Sequence, residues 1–245
     1  MVKHVITLYY QPTDDAKKYY DSLLESGRDV HFVNSGSLKG LVESDEWVKK
    51  HVEFDCDCED NISKYNSHLC ELTTFYYIWK NLLDGMSDDD YIQHSHYRKF
   101  LDVGKVEQDI DCYITFPYRL VFNIEGIRRD GTIETGTWIC HPRPSWEIMK
   151  NVVLAESTYK ESELWNEWKG LSVLPAPMNM FSMKVKHFKE FMEWLFPLVM
   201  EIERRIPYHE DCYKTAYQKR ALAFIGERMF SFWCYCQYKK GMKFK

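Results

Sequence analysis

Between Asp90 and Leu101 the sequence reads DYIQHSHYRKFL, an apolar run that closes on His94, His96, Tyr97 and Arg98. A strand that delivers imidazoles, a phenol and a guanidinium at its carboxyl end builds an anion-binding crevice in an open α/β sheet, where ligands lie beyond the strand ends. Upstream, residues 61–81 read as a helix that carries Glu71 on an apolar face. A carboxylate buried there must be paired or hydrogen-bonded, because leaving it alone costs roughly several kcal/mol. Together the two stretches point to a site for a phosphorylated substrate. Near the end of the chain Arg228 lies four residues from both Phe224 and Phe232, so it too points at an apolar stripe, with Glu227 beside it.

Metal-ligand spacings are present but poorly placed. His94 and His96 are two residues apart, so a strand puts both on one face, where they either ligate a metal or bond loop backbone. Asp55-Cys-Asp57 and Asp88–Asp90 offer hard oxygens of the type that Mg²⁺ or Mn²⁺ takes. The first follows no apolar strand and the second precedes one, so both read as solvated turns. Cys56-Asp-Cys58 and Cys234-Tyr-Cys236 have C-x-C spacing, which is not that of a zinc knuckle. With no export signal the thiols are expected to be reduced, buried small hydrophobes.

The elements that position these groups follow from pattern. Val2–Tyr10 is a β-rich run; a helix from Asp15 to Ser26 leads through Gly27 to the strand Val30–Asn34. Strand, helix, strand at this spacing is a βαβ opening, hence a parallel sheet with a right-handed crossover. That places Tyr9, Tyr10 and Asn34-Ser-Gly36 near the crevice. In the next helix Leu69, Leu72, Tyr76, Trp79 and Leu83 form one apolar stripe, expected to face the core, and Glu71, Phe75, Ile78 and Leu82 a second. Residues 111–116 read as another strand, and 119–137 as a hairpin turning at Arg129-Asp-Gly-Thr132. A helix near Ser145–Leu154 and an extended, proline-punctuated run over 171–183 follow. Two helices, Val185–Ile206 with Pro197 inside and Tyr217–Tyr238, close the chain.

Composition bounds the classes. A chain of 245 residues with 45% hydrophobic content packs one sizeable α/β domain. Its 17 Tyr and 8 Trp exceed what a core needs and suit a site that stacks on sugars or bases. The net charge of −5 gives no whole-chain case for nucleic acid, although Lys239, Lys240, Lys243 and Lys245 form a local basic end. No signal peptide and no membrane-spanning run is read from the sequence, so a cytoplasmic location is expected. The glycines do not form the G-x-G-x-x-G of a dinucleotide site.

In order and spacing, the segments Asp60-Asn-Ile-Ser63, Cys70-Glu-Leu-Thr73, Trp79-Lys-Asn81, His96-Tyr-Arg-Lys99, Asn179-Met-Phe181, Glu193-Trp-Leu-Phe196 with Glu203, and Gly226-Glu-Arg228 resemble the DUF4422 family. Its members are glycosyltransferase-type proteins found in bacterial capsular and exopolysaccharide gene sets. The resemblance implies one GT-A-like, Rossmann-like domain over residues 1–245. In it a mixed, mostly parallel central sheet is followed by C-terminal helices. It also implies a nucleotide-sugar donor, such as a UDP-sugar, and a glycan or lipid-linked acceptor. GT-A enzymes hold a divalent metal on an Asp-x-Asp, and here the corresponding strand ends in His94-Ser-His96-Tyr-Arg98. That departure puts Mn²⁺ or Mg²⁺ dependence in question and directs attention to fixed cations, Arg98 first and Arg228 second, for the leaving diphosphate. On the same reading Tyr10, His96 and Tyr97 contact the donor, Glu71 or Glu227 deprotonates the acceptor, and Asn179 bonds sugar hydroxyls. Two other readings remain open: a bacteriophage enzyme that glycosylates hydroxymethylated DNA bases, working in the host cytoplasm, and a module that binds glycan or nucleotide without turnover.

Overall fold

The computed structural model describes residues 1–36, 45–97, 99–124 and 127–245, and divides into two compact units. The first comprises Met1–Ile114, Met180–Met192 and Phe244–Lys245; the second comprises Thr115–Asn179 and Glu193–Lys243. The fold is α/β, with a mostly parallel central sheet in the first unit.

The first unit is built on a six-stranded sheet. Its strands are β1 (Val2–Leu8), β2 (Asp29–Asn34), β3 (Val52–Phe54), β4 (Tyr91–His96), β5 (Cys112–Ile114) and β10 (Phe181–Lys184). Their order is β3-β2-β1-β4-β10-β5. The first four are parallel, and β10 runs antiparallel to both β4 and β5. The βαβ opening is as expected, with Asp14–Glu25 as the crossover helix capped by Thr13. One face packs Ile6, Leu8, Tyr20 and Phe32 under that helix. His94 on β4 and Phe181 on β10 form a chain of ring contacts with Phe75 and Phe188 from flanking helices. Burial on both faces is why the central strands read as near-continuous apolar runs.

The helix after residue 60 differs from its sequence reading. It is broken into Asn66–Leu69 and Leu72–Tyr77 by Cys70, whose φ is +48°, and it continues as a π-turn over Ile78–Leu82. Both irregularities shift the helical phase. The stripe through Leu72, Phe75, Ile78 and Leu82 is therefore the buried one, while Tyr76 and Trp79 are half-buried. Asp55 also departs from expectation: it follows β3, which pairs in parallel with β2, and its side chain is buried. Asp88–Asp90 do precede β4, where Asp88 pairs with Lys189 at 3.2 Å and Asp90 receives the Ser87 amide at 2.8 Å.

The second unit is mainly helical. Two short antiparallel pairs, β6 (Tyr118–Arg119) with β9 (Val173–Leu174) and β7 (Val121–Ile124) with β8 (Ile127–Asp130), precede or interrupt the helices. The hairpin register, Val121 opposite Asp130 and Ile124 opposite Ile127, places its reversal between β7 and β8. Arg129-Asp-Gly-Thr132 instead ends β8 and caps the helix Ile133–Cys140 through Thr132. Helices Arg143–Ala155, Tyr159–Lys169 and Ala221–Lys239 bury Trp146, Trp165, Trp168 and Phe232 against one another. The last helix begins one turn later than its pattern predicts, because Arg220 separates it from Ala216–Lys219. All eight cysteines are free thiols, and Cys70, Cys112, Cys234 and Cys236 are buried. Among the described residues no helix is long and apolar enough to cross a membrane.

A carboxylate clamp joins β2 to β3. His31 Nδ1 lies 2.6 Å from Glu53 Oε1 and its Nε2 lies 3.1 Å from Asp29 Oδ1, while Tyr77 donates to Glu53 Oε2 at 2.7 Å. The Glu53 hydrogen bond raises the His31 pKa above its ordinary 6.5 against the opposing effect of burial. Because the folded-state value is the higher one, this pair stabilises fully below pH 6.5, and its contribution is lost as pH rises through the folded value. The melting-temperature difference between wild type and His31→Gln should therefore shrink as pH is raised from 6.5; a difference constant with pH contradicts the clamp.

Candidate active site

The parallel strands of the first unit end in a cluster of polar and aromatic side chains. Beyond β1 stand Tyr9 and Tyr10; beyond β4 stands Tyr97, whose amide extends the ladder by donating to the Thr7 carbonyl at 3.1 Å. The Tyr97 ring meets those of Tyr9 and Tyr10 edge-on, at 5.7 and 5.6 Å. Tyr10 is 62% exposed, so its face is open for stacking. Tyr9 donates its hydroxyl to Glu71 Oε2 at 2.8 Å. His96 lies 6.3 Å from the Tyr9 ring, and its buried Nε2 has no hydrogen-bond partner. His94 is buried, with Nε2 2.7 Å from the Thr7 hydroxyl and its ring edge-on to Phe75. Five of the residues singled out in the sequence, Tyr10, Glu71, His94, His96 and Tyr97, thus converge here.

A second network lies beyond β2 and β3, where the sequence reading placed Asn34-Ser-Gly36 near the crevice but took Asp55 for a solvated turn. Asp55 is 1% exposed, and its Oδ2 accepts the Thr73 hydroxyl at 2.6 Å. Asn66 Nδ2 in turn donates to Thr73 Oγ1 at 3.2 Å and to Ser35 Oγ at 2.7 Å. Gly36 closes the network with φ +55°; a Cβ there would meet the Ser63 carbonyl oxygen at 3.1 Å, so only glycine fits without displacement. Burial pushes the Asp55 carboxyl up to about 6, although Thr73 and the Gly36 and Cys56 amides pull the other way. The missed signal was β3 itself, too short at Val52–Phe54 to stand out as an apolar run. The Asn66 amide ties the two strand ends together.

In the second unit Arg228 is 9% exposed; it pairs through Nη1 with Glu227, and its Nε has no hydrogen-bond partner. Glu227 Oε1 accepts the Met178 amide at 2.6 Å, so both carboxylate oxygens are engaged. This is an arginine lock, not an open base. Met178 belongs to a turn in which Ala176, Met178 and Asn179 have φ of +50°, +68° and +52°. Left-handed backbone at a residue with a Cβ costs roughly 1–2 kcal/mol each. Asn179 is fully buried and offers no open amide edge to an acceptor. His141 stacks on Phe224 at 4.0 Å; burial, and then the Arg228 charge, lower its pKa to about 3, leaving it neutral. No sequence signal marked His141, since a lone histidine in an irregular stretch carries no spacing to read.

Arg98, the first choice of cation, lies outside the described residues. His94 and His96 bring two imidazoles to 5.6 Å on one strand face, but Nε2 of His94 is committed to Thr7. Among the described residues no group of three or more His, Cys, Asp or Glu could hold a metal ion. Asp57 is exposed and Asp55 is taken up by Thr73, so that pair does not converge as ligands either.

Comparison with known proteins bears on the family and the fold. Residues 42–239 match the family model described as a domain of unknown function, DUF4422. The whole chain superposes on 44% of the apo structure of WbbM, a bifunctional glycosyltransferase, with TM-score 0.66 and 19% sequence identity. That likeness shows the fold, the mostly parallel mixed α/β glycosyltransferase fold expected from the sequence. No curated protein matches.

The Asp55 network has a pH signature. Its folded-state pKa of about 6 exceeds the ordinary 3.8, so the folded state binds the extra proton and stability falls as pH rises between those values. Across that interval the melting temperature of wild type should drop relative to Asp55→Asn, with a constant difference at higher pH. Parallel curves through the interval would show that Asp55 ionises normally.

Proposed function

The chain belongs to the DUF4422 family, and from that premise we propose that it is a glycosyltransferase, moving a sugar from a nucleotide-sugar donor to a hydroxyl of a glycan or lipid-linked acceptor. The observation that carries the reading is the cluster beyond β1 and β4, where Tyr9 donates to Glu71 and meets the rings of Tyr97 and of His96, whose Nε2 has no partner, and Tyr97 meets the exposed Tyr10. Exposed phenol rings suit the flat or C–H-rich faces of a base and a sugar. Strand carboxyl ends are where such sheets take nucleotides.

The roles follow from the reaction. As the acceptor oxygen bonds to the anomeric carbon, the bond from that carbon to the donor phosphate breaks, and the electron pair leaves with the nucleoside diphosphate. In an inverting transfer the acceptor hydroxyl gives up its proton at the same time, and Glu71 is the carboxylate in this cluster to receive it. The Tyr9 hydroxyl donates to Glu71 Oε2 at 2.8 Å and so helps to hold the carboxylate in place. His96 donates to the donor phosphates. For the charge of the leaving diphosphate the sequence offers two permanent cations, Arg98 first and Arg228 second. The two units are read as parts of one catalytic domain.

Thermal shift against sugar nucleotides of uridine, guanosine and thymidine, with and without Mn²⁺, tests this directly. At a concentration a hundredfold above Kd the donor should add about 2.7 kcal/mol of stability. That is roughly 5–10 °C for a chain of this size. Glu71→Gln should keep the shift and lose about 10²- to 10⁴-fold in nucleoside diphosphate release. Tyr10→Ala should weaken the shift while leaving the unliganded melting temperature unchanged. A flat response to all the sugar nucleotides would remove the reading.

A further inference from the structure

Glu227 is adjacent in sequence to a proposed cation and carries the chemistry of a base, yet its surroundings give it another occupation. One oxygen accepts the Met178 amide at 2.6 Å and the other pairs with Arg228. On the far side of the same peptide link, the Pro177 carbonyl accepts the Thr115 hydroxyl at 2.9 Å. The Pro177–Met178 peptide is thus held at both of its polar atoms. It lies inside a turn with three left-handed residues that are not glycine, Ala176, Met178 and Asn179. Such backbone persists only where surrounding contacts over-determine it, and it gathers where strain serves a site.

We infer that Glu227 is a positioning residue: its carboxylate ties Arg228 to this turn and so fixes the direction in which the remaining guanidinium donors point. It takes no proton from the acceptor. The geometry argues this in two ways. A general base needs an oxygen facing the hydroxyl it deprotonates, and both oxygens of Glu227 already accept hydrogens within the protein. An arginine that grips phosphate must also be held in one orientation, because its planar fork is directional. Glu227 supplies that hold from one side, and the doubly anchored turn keeps Glu227 itself from moving.

The role assigned to Arg228 rests on the glycosyltransferase reading; the clamp does not. Three variants separate the possibilities: Glu227→Gln, Glu227→Ala and Thr115→Val. Each is followed by hydrogen exchange over residues 176–179 and by the pH dependence of nucleoside diphosphate release. A clamp predicts a graded series. In Glu227→Gln the one carboxamide oxygen still accepts the Met178 amide but the tie to Arg228 is lost, so exchange at the turn stays near wild type, kcat falls about tenfold and the pH profile keeps its wild-type shape. Glu227→Ala loses at least about a hundredfold, and exchange at the turn accelerates at least about tenfold. Thr115→Val, which touches no ionisable group, speeds exchange in the same segment and lowers kcat modestly with KM little changed. Should Glu227→Ala prove too unstable to purify, the other two variants still decide. Equal, near-complete loss in Glu227→Gln and Glu227→Ala, with wild-type exchange at the turn, would overturn the inference in favour of a base. A wild-type protein that turns over no sugar nucleotide would instead remove the proposed function, and the exchange experiment would still decide the clamp.

Discussion

The parallel pairing of β1 with β4 is the constraint on which the candidate site depends. Its register sets Val5 opposite His94 and Thr7 opposite His96, and one further bond, from the Tyr97 amide to the Thr7 carbonyl, carries the ladder past the end of β4. Tyr9 and Tyr10 are thereby brought against His96 and Tyr97. A slip of one residue would turn every side chain of β4 to the opposite face, taking His94 from Thr7 and Phe75. The pairing is secured far from the site by apolar burial, with Val5, Ile6, Tyr91 and Ile92 almost wholly removed from solvent. Burying such side chains is worth roughly 1.5–3 kcal/mol each, enough to hold a strand end whose own residues are polar. The stability of the sheet and the placement of the chemistry are in this sense one interaction read at its two ends.

Polar groups buried around the strand ends are the second theme, and magnitudes decide how they behave. An unsatisfied buried polar atom costs about 1–3 kcal/mol, more for a charge. Asp55 meets that cost by hydrogen bonds to Thr73 and by a carboxyl shifted up to about 6. Glu227 meets it with an amide and a guanidinium. His141 avoids the cost of a buried charge by staying neutral, stacked on Phe224, although its Nδ1 has no hydrogen-bond partner. Among the described residues, His96 Nε2 and Arg228 Nε, in their respective units, keep an unmatched donor or acceptor on a residue proposed to touch the donor. A purely structural scaffold would gain by replacing such groups with apolar ones. Their retention is what a binding site requires.

How far the sequence discloses this depends on the kind of signal. The βαβ opening, the strand ending in His94–Tyr97 and the long helix after Lys184 were legible because their periodicity and burial agree over many residues. Tyr10, His96 and Tyr97 were singled out because strand carboxyl ends have a predictable use, and Glu71 because a carboxylate on an apolar helix face needs a partner. Asp55 was missed because β3 spans only Val52–Phe54 and draws its existence from pairing with β2. The hairpin was placed on the wrong turn because Asp130-Gly131 has turn composition in either role; as it stands, Thr132 caps a helix there. The hydrogen bond from Met178 to Glu227 spans forty-nine positions of sequence, and no local pattern encodes a contact of that kind.

The break at Cys70 shows how an irregularity that sequence could not disclose creates the function proposed for Glu71. In an unbroken helix Glu71 would share a face with Phe75, Ile78 and Leu82, and its carboxylate would be driven into an apolar layer. Cys70, with φ of +48°, ends one helix and places Glu71 at the boundary of the next, where its side chain makes no cap bond and reaches Tyr9 instead. The same break leaves the Cys70 carbonyl to accept from Asn66 at 3.2 Å, and Asn66 also bonds Ser35 and Thr73. One strained residue therefore serves both networks, aiming Glu71 toward β1 and tying the ends of β2 and β3 to the helix. A left-handed cysteine is intrinsically unfavourable by roughly 1–2 kcal/mol. The bonds it permits, each worth about 1 kcal/mol, are of the size needed to offset that strain.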